Sequence, residues 1–333
     1  MKVCVYGAGA IGGHIAARLV EGGADVSLIA RGDQLAAIKK NGLRVETLDK
    51  IFESRPVATD NPTSLGHQDF VIVTVKAPAL PSIVAGLKSL LGSNTLVVFA
   101  LNGIPWWYSG SVADSVARGD IESEERTLHD EVGVERVIGA VAYTACTVLA
   151  PGIVKAENPR NRLILGRPDG ADDPRVERLA QLLMDGGLEV DVTDRIRDAV
   201  WTKLVSNLIG GSLAVLTGSA MKDAMSSPAI SAAAVQMSRE VKAVAHAAGC
   251  DAGDVDEALR KLSLSTHKQS ILQDLELGRA MEIATVFKAP LQIARSFGVP
   301  TPMLDLVVDL AVQRAKAAGL FSGSSTGSKE GAV

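Results

Sequence analysis

The chain has 333 residues, 47% of them apolar and 22% charged, the make-up of an ordinary globular protein of about two domains. Its 34 basic residues stand against 38 acidic ones, a formal net charge of −4, so no bulk attraction draws it to nucleic acid or to an anionic membrane. This composition excludes a disordered polymer, a collagen and a disulfide-dense scaffold.

Residues 1 to about 193 alternate short β-branched runs with helical stretches. Residues 2–6, 26–30, 70–75 and 96–101 are nearly continuous apolar runs, expected as strands of a parallel sheet buried on both faces. Helices are expected between them over 11–21, closed by Gly22-Gly23, and over 80–91. Residues 137–143 and 162–165 read as further strands, and 109–131 as a polar, acidic surface excursion. This βαβ alternation predicts an α/β N-terminal domain with a Rossmann-type, doubly wound sheet. From about Asp194 the strand signals vanish, Ala, Leu and Met rise, and helical patterns run to about Leu320. The expected division is therefore 1–193 as α/β and 194–320 as an all-α C-terminal domain, with a Ser- and Gly-rich, disordered tail over 321–333.

Cys4, Cys146 and Cys250 are odd in number and widely spaced, which suits free thiols in a reducing cytosol better than a disulfide framework or a zinc cluster. The five histidines show no metal-ligand spacing, so no metal is expected. The N-terminus has no leader pattern. The uncharged stretches 137–154 and 204–221 carry hydroxyls, an Asn, glycines and a Pro that a bilayer would leave costly, so buried elements of a cytoplasmic protein are expected.

The first strand runs into Gly7-Ala8-Gly9-Ala10-Ile11-Gly12 and then a helix. The first glycine permits a tight turn, the second close approach of a pyrophosphate, and the third close packing of helix on sheet. Helix N-terminal N–H groups favour the phosphates, so these six residues are expected to bind a dinucleotide. An NAD site usually places Asp or Glu at the end of the second strand, to bond the ribose 2′-OH. Here that strand ends Ala30-Arg31-Gly32, and Arg31 offers a charged fork to a 2′-phosphate, which favours NADP. Lys76 and Asn102 follow two later strands, and in open α/β sheets ligands lie beyond such ends. Trp201-Thr202-Lys203-Leu204-Val205-Ser206-Asn207 reads as a helix with Lys203 and Asn207 on one face. Taken alone, a lysine among such apolar neighbours is expected to snorkel to solvent rather than to be held in a cleft.

At this point the chain resembles the ketopantoate reductase family. The likeness covers nearly the whole sequence: the opening GAGAIGG, the lysine in VTVKA, LNGIPWWY, WTKLVSN, SILQDLELGRAMEI and GVPTP near residue 300. It implies NADPH-dependent reduction of 2-dehydropantoate to (R)-pantoate, on the path to pantothenate. The resemblance further implies that Lys203 and Glu282 are catalytic. Asn102, Asn207 and Ser270 would bind substrate, and Arg31, Lys76 and Asn102 would belong to the cofactor site. The helix expected over 280–297 would put Glu282 in its first turn, where a dipole favours a carboxylate.

Hydride transfer to a ketone leaves negative charge on its oxygen, which an ammonium such as Lys203 can stabilise and protonate. Two positions depart from the family pattern. Gly211 stands where a second asparagine is frequent, and Ala284 where Glu-Ile is commonly followed by Asp. Loss of such hydrogen bonds loosens substrate choice. These departures favour reduction of another small 2-oxo acid as the first rival reading; a non-catalytic NADP-binding sensor and a Rossmann protein that binds FAD or a nucleotide sugar are the other two. Trp106-Trp107-Tyr108 is expected to pack rather than to bind. A homodimer enters only as the commonest oligomer.

Overall fold

A strand whose last four residues are all apolar has no face to offer water, and β1 (Lys2–Tyr6) accordingly lies inside a sheet. The structure, a computed structural model, describes residues 1–110, 123–157 and 161–321. The middle of the expected surface excursion, 111–122, and the expected tail after 321 lie outside the described residues. After β1 come α1 (Ala10–Glu21), β2 (Asp25–Ile29), α2 (Gly32–Asn41), β3 (Leu43–Glu46), β4 (Ile51–Ser54) and β5 (Val57–Thr59). Then follow β6 (Gln68–Val73), α3 (Leu80–Lys88), β7 (Leu91–Ala100), α4 (Ser123–Glu131) and β8 (Val137–Tyr143). The first region ends with β9 (Cys146–Ala150), β10 (Ile153–Ala156), β11 (Arg162–Gly166), α5 (Pro174–Asp185) and β12 (Glu189–Val192).

Eight strands form the main sheet in the order β12-β11-β8-β7-β6-β1-β2-β5. All neighbours are parallel except β8 and β11. The chain winds outward from β1 through β2 to β5, then returns to the other side of β1 at β6. The order thus reverses between β1 and β6, the switch point where ligands of open α/β sheets bind. This is the expected doubly wound architecture: the six expected strands are present and end within two residues of the expected ends, β7 starts earlier than expected at Leu91, and β5 and β12 were not expected.

A second sheet, in the order β4-β3-β10-β9, was not expected from the sequence. Its strands have four or five residues and are only half buried, so each carries too few alternations to stand out. Helix α1 packs against strands of both sheets. Every residue from Gly12 to Leu19 is buried in consequence. Gly13 permits this approach, because a Cβ there would stand 2.9 Å from Val154 Cγ2.

Burial on all sides traps His14, which is 1% exposed and has no hydrogen-bond partner on either ring nitrogen. Desolvation, reinforced by the Arg18 charge, pushes its pKa down to about 4. Between pH 4 and 6.5 the unfolded chain therefore binds a proton there that the folded chain does not. Stability rises with pH across that window, and acidification from 6.5 to 4 removes up to about 3 kcal/mol. Unfolding free energies measured from pH 4 to 7 should show this slope in the native chain. It should be largely gone in His14→Leu; an unchanged slope in the variant would refute the assignment.

The remaining elements are helical: α6 (Ile196–Thr217), α7 (Met221–Ala224), α8 (Pro228–Ala247), α9 (Val255–Leu264), α10 (Ser270–Glu276), α11 (Ala289–Ser296) and α12 (Pro302–Ala317). A π-helical turn, Ala284–Lys288, precedes α11. The chain divides into two compact units, Met1–Lys203 with Gly249–Asp251, and Leu204–Ala248 with the chain from Ala252 onward. The division runs through α6 between Lys203 and Leu204.

In the second unit α8 packs against α9, α11 and α12. The buried Glu240 of α8 caps α12, accepting from Met303 N at 3.2 Å and Leu304 N at 2.8 Å. Gly210 and Gly211 of α6 admit close neighbours: a Cβ on Gly211 would meet Ile271 Cγ2 at 3.1 Å and the Phe287 ring at 3.4 Å. Helix α6 is the one described helix long and apolar enough to cross a membrane. The burial of 67% of its most apolar stretch marks it as a core helix.

Candidate functional site

Four features expected at successive strand ends fall at one edge of the main sheet. Asn102 follows β7, Lys76 follows β6, the glycine loop follows β1 and Arg31 follows β2. The spatial order β7-β6-β1-β2 sets them side by side around the switch point. Arg31 and Lys76 are exposed, and Asn102 is half-buried.

The glycine loop assigns a different demand to each glycine. Gly7 has φ +111°, and a Cβ there would meet Val75 Cγ1 at 2.9 Å, so both conformation and space require glycine. A Cβ on Gly12 would stand 1.9 Å from the Gly7 carbonyl oxygen and 2.4 Å from Thr74 Oγ1, closing the helix-to-strand contact. A Cβ on Gly9 would meet nothing within 4 Å. Gly9 is the exposed N-cap of α1, with no side-chain cap and no acidic residue in the first turn. An open, uncapped helix N-terminus behind a flat backbone suits a pyrophosphate, so the residues fit a dinucleotide.

Two side chains brace this loop that sequence reasoning missed. Thr74, just after β6, donates from Oγ1 to the Gly7 carbonyl at 2.7 Å. Gln34 of α2 donates to the Ala8 carbonyl at 2.6 Å and accepts from Gly152 N at 3.0 Å, tying the loop to the β9–β10 turn. Thr74 was hidden inside an apolar run, and Gln34 carries no motif at all.

Lys203 does not snorkel. Its Nζ donates to Asn102 Oδ1 at 2.8 Å and to the Ala142 carbonyl at 2.7 Å, and lies 6.0 Å from the centre of the Tyr143 ring. Nothing in the sequence pairs Lys203 with either partner: Asn102 lies 101 residues away, and Ala142, 61 residues away, contributes only a backbone oxygen at the end of β8. The lysine of α6 is thereby held at the same sheet edge as the glycine loop. Trp106, Trp107 and Tyr108, next along the loop from Asn102, are buried and pack as expected.

The other proposed site residues lie in the second unit. Asn207 is half-buried on α6, one turn after Lys203. Ser270 is exposed at the first position of α10. Glu282 is buried, at 8% exposure. It does not sit in the first turn of a helix over 280–297. It precedes the helical stretch, and its carbonyl accepts from Val286 N at 3.0 Å. The stretch then passes through the π-helical turn Ala284–Lys288, where Ala289 N–H donates to the Ala284 carbonyl (i→i−5) just before Pro290, which has no N–H for the usual ladder. Sequence reasoning also passed over Asp274 of α10, a buried carboxyl at 5% exposure. Among the described residues no cluster of His, Cys, Asp and Glu could hold a metal ion.

Comparison with known proteins agrees with this picture. Residues 3–170 match the family model "Ketopantoate reductase PanE/ApbA", and residues 195–315 its C-terminal counterpart. A 2-dehydropantoate 2-reductase of Mesorhizobium japonicum is 36% identical, covering 97% of this chain and 100% of its own. A solved protein from Ralstonia solanacearum MolK2 superposes with a TM-score of 0.87 at 32% identity, over 96% of this chain and 99% of the other. A D-mandelate dehydrogenase solved with NADH and anilino(oxo)acetate shares the fold, at a TM-score of 0.82 and 22% identity over 96% of this chain and 100% of its own. With both family segments matched in order and a relative 36% identical along its whole length, the chain belongs to the ketopantoate reductase family of oxidoreductases.

Proposed function

We propose that this protein is an NADPH-dependent reductase of a small 2-oxo acid, with 2-dehydropantoate as substrate and (R)-pantoate as product. The observation that carries the reading is the Lys203 ammonium, held between Asn102 and the Ala142 carbonyl at the edge that bears the glycine loop. Lysine on a surface helix has many rotamers; two hydrogen bonds of normal length leave it one position.

A bound reduced nicotinamide supplies the hydride. As the ketone carbon accepts that electron pair, the carbonyl π pair moves onto oxygen. Lys203 stabilises the growing charge and gives the oxygen its proton, which produces the alcohol. Asn102 aims the ammonium, since its Oδ1 can only accept from Nζ. Asn207 and Ser270 serve as substrate-binding residues, and Glu282 accepts a hydrogen bond from the substrate hydroxyl or orients Lys203, roles supported by family resemblance. Arg31 binds the 2′-phosphate with its planar fork, with Lys76 as a second cation. A cytoplasmic place in pantothenate synthesis follows from that substrate.

The test is NADPH oxidation by the purified protein with 2-dehydropantoate beside other small 2-oxo acids, phenylglyoxylate among them. The expected kcat/KM for 2-dehydropantoate is about 10⁴ M⁻¹s⁻¹ or more and exceeds the rest of the panel. A better panel member would move the substrate and keep the chemistry. Tight NADPH binding without turnover of any acid would favour the sensor. Arg31→Ala should lower the preference for NADPH over NADH about tenfold or more, the value of one charge-assisted contact. An unchanged ratio would remove Arg31 from the cofactor site.

A further inference from the structure

Lys203 and Asn102 come from two different elements, so their 2.8 Å contact depends on what fixes the helix against the loop. The loop that begins at Asn102 reaches Tyr108 six residues later, after a tight turn closed by Tyr108 N on the Pro105 carbonyl at 2.9 Å. Trp201 lies two residues before Lys203 on α6. Its indole Nε1 donates to the Tyr108 hydroxyl at 2.6 Å, and the two rings meet edge to face at 6.4 Å. Both residues are buried, Trp201 completely and Tyr108 at 7% exposure.

Side chains two residues apart on a helix diverge by about 200° around its axis. The loop therefore holds α6 from two sides, with Asn102 on Lys203 and Tyr108 on Trp201. A rotation of the helix that withdrew Lys203 from Asn102 would also break the buried Tyr108–Trp201 bond. Other contacts seat the same junction. Arg197, one turn before Trp201, lies 5.6 Å over the Tyr108 ring and donates from Nη1 to the Pro168 carbonyl at 2.6 Å. Gly139 of β8 leaves room for both partners: a Cβ there would stand 2.6 Å from Trp107 Cζ2 and 2.8 Å from Ile196 Cγ1. The indole N–H can only donate, so the Tyr108 hydroxyl oxygen accepts from Trp201, and the same hydroxyl faces Cys250 Sγ at 3.4 Å.

We propose that Tyr108 and Trp201 are positioning residues that set the rotation of α6 and so hold Lys203 against Asn102 for proton donation. The kinetic side of this proposal rests on the reductase reading above; the structural side does not.

Three variants of the full chain test it: Trp201→Phe, Tyr108→Phe and the double variant. Each single change keeps an aromatic ring and removes one end of the bond. With the best acid of the panel, each single variant should lose about 10- to 100-fold in kcat, the range for a small misplacement of a reacting group. KM for NADPH should stay within about twofold of the native value. The double variant should be no slower than the slower single one, because both changes break one bond. Native kcat in both single variants, or losses that multiply in the double, would overturn the proposal. A merely structural role would lower the thermal midpoint and leave kcat unchanged. Should Trp201→Phe fail to fold, Tyr108→Phe, which loses only an oxygen, carries the test. If the native protein reduces no acid, the reductase reading fails by itself. The Nζ–Oδ1 separation in a crystal structure of the Trp201→Phe or Tyr108→Phe protein then decides: a broken contact supports the brace, and an intact one refutes it.

Discussion

Lys203→Ala should lower turnover of the preferred 2-oxo acid by about 10² to 10⁴-fold, the usual contribution of a positioned general acid. The loss should appear in kcat, with NADPH affinity near its native value, because the glycine loop and Arg31 lie on other elements. Lys203→Arg should not restore the rate. A guanidinium is planar and longer, holds its proton far above the working pH, and cannot occupy the position between Asn102 Oδ1 and the Ala142 carbonyl. Steady-state kinetics with NADPH titration checks both statements. Near-native turnover in Lys203→Ala would take proton donation away from this residue.

The second large effect is a contrast between two glycines of one motif. Gly12→Ala would drive a methyl to 1.9 Å from a backbone oxygen, which neither partner can relieve by rotating a side chain. The helix must move off the sheet, at a cost of about 3 kcal/mol or more for forced overpacking. This variant should unfold at a lower temperature even without cofactor. Gly9→Ala meets nothing, so its cofactor-free thermal midpoint should match that of the native chain. Its methyl would occupy the space a pyrophosphate needs, and NADPH affinity should fall at least about tenfold, or 1.4 kcal/mol. Thermal melts with and without NADPH separate the two. Equal NADPH stabilisation of the native chain and Gly9→Ala would place the dinucleotide elsewhere.

The motif of residues 7–12 was legible because its glycine spacing, directly after an apolar strand and before a helix, is a local pattern, although the Val75 and Thr74 atoms that crowd Gly7 and Gly12 come from far along the chain. Arg31, Lys76 and Asn102 were legible for a related reason. Parallel strands that neighbour one another bring their carboxyl ends to one edge, so finding the strands finds the edge. Glu282 and Ser270 could be named only through family resemblance. Alone, one is an acid near a helix start and the other an exposed hydroxyl. The start of the helix after Glu282 was placed a few residues early, because a helix boundary is set by where backbone hydrogen bonds begin, which apolar periodicity registers only coarsely.

By itself the sequence determined the α/β-then-α order of the chain, the main-sheet strands that end at one edge, and the glycine loop that follows β1, since apolar periodicity and glycine placement are properties of neighbouring residues. Tertiary structure alone decided that α1 is enclosed by two sheets, which strips His14 of solvent and partners. It decided too that Lys203 is held rather than solvated. That outcome depends on a side-chain oxygen 101 residues away and a backbone oxygen 61 residues away. No local pattern encodes a contact whose partners meet only when strands and helix have packed.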